Sequence, residues 1–423
     1  MNILHKLMFT CLPPFLLAAG LYFCVRLRGF PFRHPCRLAA CLRGTGKDSR
    51  RALFLSLAGT LGVGNIAGVG TALAVGGAGA VLWLAVGGTV ATVIKYAEVT
   101  LALGARPQSG ESRGALDYIR PTLGRGAAVA FALFTLLLSL TMGSLLQGGV
   151  IAEGAGVLFA ARPLPVGLLL AGLSLLLFLG GRRLVERLSG AVIPMLTLLY
   201  CTGAVLIVLT HIGALPAVLG RILRGAFSLR SAGGGLLGAG ITQAMRAGIA
   251  NGLFSNEAGA GTAPFAHGHA TAAPAVQGVF GILEVAIDTL LMCTLTALAV
   301  LCVFDPLPSL SGTALVAAAF RSVAGAWAGD AVTLSCILFS FATVACWVSY
   351  GQVALSHLSR RPLPRALYPL VFSAALVIGA LLGEGRGFLP VDIILALMTF
   401  INLAALLKST GRIRALTAES GLI

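Results

Sequence analysis

Charged residues are scarce in this chain, and their scarcity excludes an ordinary soluble domain. Of its 423 residues only 10% are Asp, Glu, Lys or Arg, whereas 57% are hydrophobic and the mean hydropathy is +0.95. Soluble proteins carry about 25% charged residues. Because so few charges could not cover a water-facing surface, lipid must surround much of the chain. We expect an all-α polytopic membrane protein.

Acidic residues are scarcer still, with 14 Asp and Glu against 30 Lys and Arg, which gives a formal net charge of +16. In a soluble protein this excess would suggest a nucleic-acid ligand. Here the basic residues lie between apolar segments, and no basic stripe alternates with aromatic residues. Membrane topology explains the excess better, so we predict the lipid bilayer as a partner, no nucleic acid and no obligate protein partner.

Motifs for catalysis and for resident metal ions are missing as well. The sequence contains no Gly-x-Ser-x-Gly elbow, no His-Glu-x-x-His pair and no Gly-x-x-x-x-Gly-Lys phosphate loop. Its nine Cys have neither metal-ligand nor disulfide-framework spacing, and no repeat has the form of a channel selectivity filter. We therefore expect neither an enzyme nor a protein with a bound cofactor.

Apolar stretches long enough to cross a bilayer, about 20 residues each, recur along the chain. One is N-terminal and ends near Cys24; because no small-residue cleavage site follows it, we expect it to be retained rather than removed as a signal peptide. Ten more make about 11 predicted transmembrane helices, at 52–75, 79–104, 127–152, 164–180, 188–210, 234–263, 277–304, 330–356, 366–382 and 389–408.

Lys and Arg are divided unevenly between the two sets of loops that eleven spans create. Twenty-one lie on one side and seven on the other, while Lys95 and Arg246 fall inside spans. Cytoplasmic loops are the ones enriched in Lys and Arg. We therefore predict a multi-pass protein of the bacterial inner membrane with its N-terminus outside and its C-terminus in the cytoplasm.

Two spans are too rich in glycine to be continuous helices, one at residues 59–68 and one at 251–264. Each Gly costs about 1 kcal/mol in a helix relative to Ala. Unwound backbone within a membrane is tolerated only where it is buried in protein or lines a cavity. Tight helix packing is the other reason for such glycines. Paired breaks at corresponding positions, however, are typical of inverted-repeat transporters with a site at the midplane.

The two breaks suggest how the chain is organised. Apart from the N-terminal helix, they fall in the first and sixth of ten spans, so each opens a group of five helices. We divide the chain into a peripheral N-terminal transmembrane helix (1–25), a basic cytoplasmic loop (26–51), a first five-helix repeat (52–210), an extracellular loop (211–233), a second five-helix repeat (234–408) and a cytoplasmic tail (409–423).

Five segments of the chain form a recognisable series: GVGNIAGV (62–69), KYAEV (95–99), GLFSNEAG (252–259) with GTAP (261–264) and His267, residues 284–297, and residues 347–351. In this order they resemble the first, second, sixth, seventh and eighth core helices of the alanine or glycine:cation symporter family, also called sodium:alanine symporters. The resemblance implies a leucine-transporter-like fold, in which a five-plus-five inverted repeat follows one extra N-terminal helix. It also implies import of alanine or glycine by alternating access, coupled to Na⁺ or less often to H⁺.

Cation ligands are predicted on both broken helices. Asn65 would bind Na⁺ through its side-chain carbonyl, with the backbone of Thr60 and Leu61, and Ser255 would be its partner. A helix–helix hydrogen bond is the alternative role for these side chains. Thr343 would add a hydroxyl to a second cation site against the first broken helix. Na⁺ would thus be the coupling ion rather than a cofactor.

Substrate-binding groups are predicted around the same breaks. Freed backbone amides and helix N-termini suit a carboxylate, an amide side chain on the third core helix would bind the carboxylate or amine, and two aromatic side chains would wall a small apolar pocket. The predicted substrate-binding residues are Gly62, Gly64, Asn65, Gln147, Phe254, Ser255 and Trp347.

The chain departs from the family pattern at several positions. It has Ala342 before Thr343 where the family usually has a Ser-Thr pair, Ser144 and Gly149 where Asn is common, and Ala115 in place of a Gly-Gly-Pro-type turn. These departures leave three alternatives open: a changed substrate such as glutamine or a D-amino acid, H⁺ coupling, and an uncoupled facilitator.

Ionisable residues inside apolar spans are functional candidates because their burial is costly. We predict an i,i+3 ion pair between Lys95 and Glu98. Glu257 is expected to accept amide hydrogen bonds from the unwound backbone, with proton carriage as the alternative. Glu284 and Asp288, spaced i,i+4, predict a polar helix face directed into the bundle. His267 and His269 are expected to be loop residues rather than metal ligands.

Overall fold

The computed structural model describes residues 3–43, 45–107, 112–227, 243–383 and 388–423, and within these ranges the side chains of residues 3–11, 253–254 and 388–390 lie outside the description. Every regular element in the described ranges is helical, so the prediction of an all-α protein is confirmed. Arg230 and Arg386, which the topology prediction used, lie outside the described residues.

The described helices follow one another through short connections. Up to residue 210 they are α1 (Ile3–Arg26), α2 (Phe30–Arg33), α3 (Pro35–Arg43), α4 (Lys47–Thr60), α5 (Val69–Gly76), α6 (Ala80–Gly104), α7 (Leu116–Leu123), α8 (Arg125–Leu140), α9 (Gln147–Phe159) and α10 (Pro163–Thr210). After it they are α11 (Leu215–Ala226), α12 (Gln243–Asn256), α13 (Ala263–His267), α14 (Pro274–Val285), α15 (Thr294–Val303), α16 (Gly312–Ala324), α17 (Ala326–Leu358), α18 (Pro362–Leu382), α19 (Phe388–Lys408) and α20 (Thr410–Glu419).

Seven helical segments of the described residues are long and apolar enough to cross a bilayer, and α4 with α5 makes an eighth if this pair, bent by 55°, is one span. The 48-residue helix α10 contains a residue with non-helical backbone, Gly181 at φ 61° and ψ −167°. This interruption lies between the segments 164–180 and 188–210, which the sequence predicts as separate spans.

Three helices contain π-helical turns, in which the backbone widens by one residue per turn. These turns are Gly64–Gly68 before α5, Thr141–Leu146 between α8 and α9, and Ala286–Cys293 between α14 and α15. Such turns occur often at functional sites because they redirect side chains. The first and third of them carry Asn65 and Asp288 into the interior.

Helix α6 forms the centre of the packing, since it lies along α12 on one side and α14 on another, while α17 packs on α8, α9, α10 and α16. Small residues allow the closest approach. A Cβ atom at Gly248 of α12 would clash with the backbone carbonyl oxygen of Ala80, so only glycine fits where α12 crosses α6.

Segments that the sequence predicts as loops contain short helices. The basic segment 26–51 includes α2, α3 and the first turn of α4, and the segment 211–233 includes α11. The tail 409–423 includes α20, which packs on α6 through a hydrogen bond from Tyr96 to Thr417 (2.9 Å). These helices are too short for the span criterion, which is why a search for transmembrane segments overlooks them.

Candidate substrate and cation site

The first broken helix unwinds at the glycine-rich segment that the sequence indicated. Helix α4 ends at Thr60, Leu61 has extended backbone (φ −69°, ψ 119°), and the π turn begins at Gly64. A helix end leaves its last carbonyl groups without helical partners. The hydroxyl of Thr343 on α17 donates to one of them, the carbonyl of Ala58, at 3.1 Å. The structure therefore brings Thr343 against the first broken helix.

The second broken helix unwinds between α12 and α13. Three residues in this gap have left-handed backbone: Glu257 (φ 50°), Gly259 (φ 90°) and Gly261 (φ 79°). The side-chain carbonyl of Asn256 accepts a hydrogen bond from the backbone N–H of Ala258 at 2.9 Å, which supports the turn. Since left-handed backbone disfavours a continuing α-helix, these residues explain why the helix stops here.

The two breaks meet at Gly64 and Ser255. A Cβ atom at Gly64 would lie 2.9 Å from the Cα atom of Ser255, so the contact requires glycine. The side-chain nitrogen of Asn65 donates to the Ser255 hydroxyl at 3.0 Å, and the Asn65 carbonyl accepts from the backbone N–H of Gly62 at 2.9 Å. Both Asn65 and Ser255 are fully buried.

Asp288 completes this cluster, and the sequence interpretation did not assign it to the site. Its carboxylate accepts from the Asn65 amide at 2.7 Å and from the Ser255 hydroxyl at 2.8 Å. Thr289 donates to the same carboxylate at 2.7 Å, and the Cys293 sulfur lies 3.3 Å from both the Asn65 nitrogen and the Ser255 oxygen. An acidic residue in an apolar span was the available signal.

A cavity of about 1310 Å³ reaches the first break from the region around Gly312 and Arg321. Five predicted site residues are among those that line it: Thr60, Gly62, Gly64, Gln147 and Thr343. Leu61, Asn65, Ser255 and Trp347 are not among the described residues that line this cavity. The structure thus divides the predicted site into a layer that lines the cavity and a buried layer next to it.

Gln147 is held by one end of its amide. Its nitrogen donates to the backbone carbonyl of Met142 at 3.1 Å, while its oxygen is buried with no hydrogen-bond partner among the described residues. Gln147 thus lines the cavity and carries an unpartnered acceptor buried beside it.

Of the two predicted aromatic walls, the structure describes the side chain of one, Trp347. Trp347 is fully buried on α17, with its ring centroid 5.5 Å from that of Tyr350, and it packs so closely on Gly143 that no Cβ would fit there. The side chain of Phe254 lies outside the described residues. Ser144, which stands where the family commonly has Asn, donates a hydrogen bond to the backbone carbonyl of Phe372 at 2.9 Å.

The predicted pairing of Lys95 with Glu98 is wrong. The Lys95 ammonium lies 3.2 Å from the carboxylate of Glu284 on α14, and both side chains are fully buried. Lys95 and Glu98 share a helix, but their partners lie on different neighbouring helices, a difference that sequence spacing cannot reveal. The polar face predicted from Glu284 and Asp288 does face the interior, since both are fully buried.

Glu98, rather than Glu257, accepts hydrogen bonds from the unwound backbone. The Glu98 carboxylate accepts hydrogen bonds from the backbone N–H of Gly261 at 2.9 Å and from the side-chain amide of Asn402 at 2.6 Å. Neither carboxylate oxygen of Glu257 has a hydrogen-bond partner among the described residues. The prediction for Glu257 is therefore wrong. His267 is also not a loop residue, because it lies fully buried at the end of α13.

Several apolar helices, two broken helices that meet inside the bundle and a cavity that leads to the break define a polytopic membrane transport protein. In agreement, a crystal structure of a manganese transporter mutant from Eremococcus coleocola shares the fold, with a TM-score of 0.52 at 17% identity, covering 84% of this chain and 75% of that one. At this identity the likeness concerns the fold alone.

The chain belongs to the sodium:alanine symporter family, whose sequence profile matches residues 1–419. It is 33% identical over 321 residues to the sodium/alanine symporter AgcS of Methanococcus maripaludis, covering 73% of this chain and 70% of that protein. It is 30% identical over 407 residues to the probable sodium/glutamine symporter GlnT of Bacillus subtilis, covering 92% and 84%. The predicted family is confirmed, and it is a family of sodium-coupled transporters rather than enzymes.

Proposed function

We propose that this protein is a secondary active symporter that imports a small neutral amino acid, alanine or glycine, together with Na⁺ by alternating access. The observation that carries the proposal is the contact of Asn65, Ser255 and Asp288, which joins both broken helices at one buried point. A transporter couples an ion to a substrate most directly where both can bind the same mobile elements.

The first proposed Na⁺ site lies in this cluster. A carboxylate, a hydroxyl and a side-chain amide supply the oxygen ligands that hard cations prefer. Turning the Asn65 amide by half a rotation would direct its oxygen toward Ser255 and Asp288 in place of its nitrogen. The Asp288 carboxylate would then balance the ion's charge, and the backbone of Thr60 and Leu61 would supply further oxygen atoms from the break.

A second proposed Na⁺ site lies at Thr343. Its hydroxyl already contacts the freed carbonyl of Ala58, so a cation could bind between these oxygen atoms. Ala342 provides no second hydroxyl here. We expect this site to bind Na⁺ more weakly than the site at Asp288, which contains a formal negative charge.

The amino acid is proposed to bind at the inner end of the cavity. Its carboxylate would approach the backbone amides of Gly62 and Gly64, which line the cavity, once the turned Asn65 amide releases the Gly62 N–H. Its ammonium group would donate to the unpartnered oxygen of Gln147. Phe254 and Trp347 are retained as proposed walls of the side-chain pocket. Na⁺ is the coupling ion in this proposal, and no cofactor takes part.

The proposed architecture is a five-plus-five inverted repeat preceded by one peripheral helix, about eleven transmembrane helices in all. We place the protein in the bacterial inner membrane with its N-terminus outside and its C-terminus in the cytoplasm, because of the distribution of Lys and Arg. In this orientation the cavity end at Gly312 and Arg321 is extracellular, and α13 is near the cytoplasm.

An uncoupled facilitator is the main alternative, and it is favoured by the missing hydroxyl at Ala342. A relative with a different substrate, such as glutamine or a D-amino acid, or with H⁺ coupling, is another. Accumulation above equilibrium separates a symporter from a facilitator, because a facilitator can only equalise concentrations.

The test is uptake of labelled alanine by proteoliposomes with and without an inward Na⁺ gradient. We expect accumulation that requires the gradient and that Asn65→Ala and Ser255→Ala abolish. Ser356→Ala, an exposed position at the end of α17, is the matched control and should transport normally. Uptake that only equilibrates regardless of Na⁺ would refute coupling. No alanine uptake, with gradient-driven uptake of another labelled amino acid, would refute the substrate alone.

A further inference from the structure

A second polar cluster is buried between α6, α13 and α14, and the proposed symport mechanism does not use it. It consists of Lys95, His267, Gln277 and Glu284, each with no solvent exposure. None of the four contacts the proposed Na⁺ ligands in the described hydrogen bonds and ion pairs. Ionisable groups buried in this way are costly in a membrane protein and are functional candidates.

The cluster is a chain of side chains with His267 in the middle. The side-chain nitrogen of Gln277 lies 2.7 Å from Nδ1 of His267, and Nε2 of His267 lies 3.4 Å from one carboxylate oxygen of Glu284. The other oxygen of Glu284 lies 3.2 Å from the ammonium group of Lys95. With the amide in this orientation Gln277 donates to Nδ1, an arrangement that suits a neutral imidazole with its hydrogen on Nε2, on the side of Glu284.

The same side chains can also hold a charged imidazole. The oxygen of the Gln277 amide is buried with no hydrogen-bond partner among the described residues. Half a rotation of the amide would bring this oxygen to Nδ1, where it would accept a hydrogen bond from a protonated ring. Gln277 can thus pair with Nδ1 of His267 in both charge states, while Nε2 faces the Glu284 carboxylate at 3.4 Å without a described hydrogen bond.

We propose that His267 is a proton-binding site that exchanges with the cytoplasm during the transport cycle. The proposal rests on the proposed function, which supplies the orientation and the alternating access. In the form described here all four side chains are buried, and the orientation of the Gln277 amide suits a neutral ring. When the cytoplasmic path opens and α13 moves, the ring becomes accessible to protons from the cytoplasm, so that proton binding favours the inward-facing form.

The surrounding charges permit this exchange. Glu284 of α14 faces Nε2 of His267, and Lys95 of α6 lies on the other side of that carboxylate. Two further carboxyl groups, Glu98 of α6 and Glu257 of the unwound segment, interact with Lys95. On the flanks of α13, Arg182 donates to the carbonyls of Phe265 and Ala266, and Arg106 donates to that of Ala270. Lys95 and Glu284 form a pair of opposite charge, so a positive charge on the ring would not meet an unbalanced ammonium group.

Protonation of His267 should slow uptake, because proton binding is linked to the conformation of the carrier. A proton that binds better to the inward-facing form stabilises that form, so an acidic interior slows the return of the carrier. Net uptake should fall several-fold as the internal pH is lowered from about 7.5 to about 5.5 at constant external pH, which spans the usual range of histidine.

The experiment measures Na⁺-driven alanine uptake at several internal pH values in the full-length protein. His267→Gln keeps a donor toward Glu284 but cannot be protonated, and it should remove the dependence on internal pH. Gln277→Glu adds an acceptor that favours the charged ring, and it should move the midpoint of the profile to higher pH. His357→Gln, half-buried at the end of α17, should leave the profile unchanged.

Each failure has its own meaning. Wild-type uptake that does not change with internal pH, or an unchanged profile in His267→Gln, overturns the proposal while Na⁺-driven uptake still supports the proposed function.

If alanine is not transported, or if His267→Gln does not fold, ¹⁵N NMR of histidine-labelled protein tests the site without substrate. The His267 resonances should report the neutral form with hydrogen on Nε2 at high pH, and Gln277→Glu should shift them toward the doubly protonated form. Resonances unaffected by Gln277→Glu overturn the proposal.

Discussion

At the scale of single residues, Asp288 determines what the site can bind. Its carboxylate contacts Asn65 of the first broken helix and Ser255 of the second. Hydrogen bonds from neutral groups offset part of the cost of burying a negative charge, and a bound cation would offset more. The charge of this residue should therefore affect ion binding more than it affects the binding of a zwitterionic amino acid.

We predict that Asp288→Asn raises the Na⁺ concentration needed for half-maximal alanine uptake by tenfold or more, because the substitution keeps the shape and removes the charge. A tenfold change corresponds to about 1.4 kcal/mol of binding free energy. Uptake measured against Na⁺ concentration tests this, with Asp48→Asn on the exposed face of α4 as a control. An unchanged Na⁺ requirement would remove Asp288 from the cation site.

At the scale of helices, the second break depends on a side chain from α6. Glu98 accepts a hydrogen bond from the backbone N–H of Gly261. Asn402 of α19 donates hydrogen bonds both to Glu98 and to the backbone carbonyl of Gly259. The Asn402 oxygen in turn accepts from Tyr118 at 2.6 Å. Three helices thus hold the unwound backbone, whose polar groups could not otherwise be satisfied away from water.

Glu98→Gln should lower the free energy of unfolding by about 1–3 kcal/mol, the usual effect of weakening a buried hydrogen bond to a charged group. The measurement is the thermal midpoint of the detergent-solubilised protein. Glu419→Gln, at the exposed end of α20, removes a carboxylate without such contacts and serves as the control. Equal midpoints for both variants would show that Glu98 does not stabilise the break.

Much of the helical pattern could be predicted because hydrophobic length and glycine content are local properties. Gly62 and Gly64 identified the first break, and the Asn-Gly and Gly-x-Gly runs around residue 256 identified the second. The partners of Lys95 and Glu98 could not be predicted, since the i,i+3 rule applies within one helix and the packing of α6 directs each side chain to a different neighbour. The place of Asp288 depends on a π turn, which neither hydrophobic length nor glycine content predicts.

At the scale of the whole molecule, the cavity gives the protein two unequal sides. It joins the first break to residues near Gly312, whereas the opposite ends of the helices are tied together by contacts such as Arg182 with α13. If this form is one state of alternating access, reagents should reach the break from one side of the membrane.

In a cysteine-free background, Gln147→Cys and Thr313→Cys should react with a membrane-impermeant thiol reagent added outside intact cells. Arg37→Cys, in the basic segment, should react only after the cells are opened. Alanine with Na⁺ should protect Gln147→Cys, at alanine concentrations raised by the loss of the proposed ammonium ligand, but should not protect Thr313→Cys, because the proposed substrate site is deeper than residue 313. Labelling of Arg37→Cys from outside would reverse the proposed orientation.

The packing of α20 has a consequence for biosynthesis. Tyr96 donates to Thr417, which is 321 residues later in the chain, and Arg37 donates to the carbonyl of Gly421, 384 residues later. At about 5–20 residues per second, a ribosome needs roughly 16 to 77 seconds to cover these separations. During that interval the hydroxyl of a helix already inserted in the bilayer lacks the partner that it has in the finished protein. A nascent chain at this stage is where we would look for binding of an insertase or a chaperone.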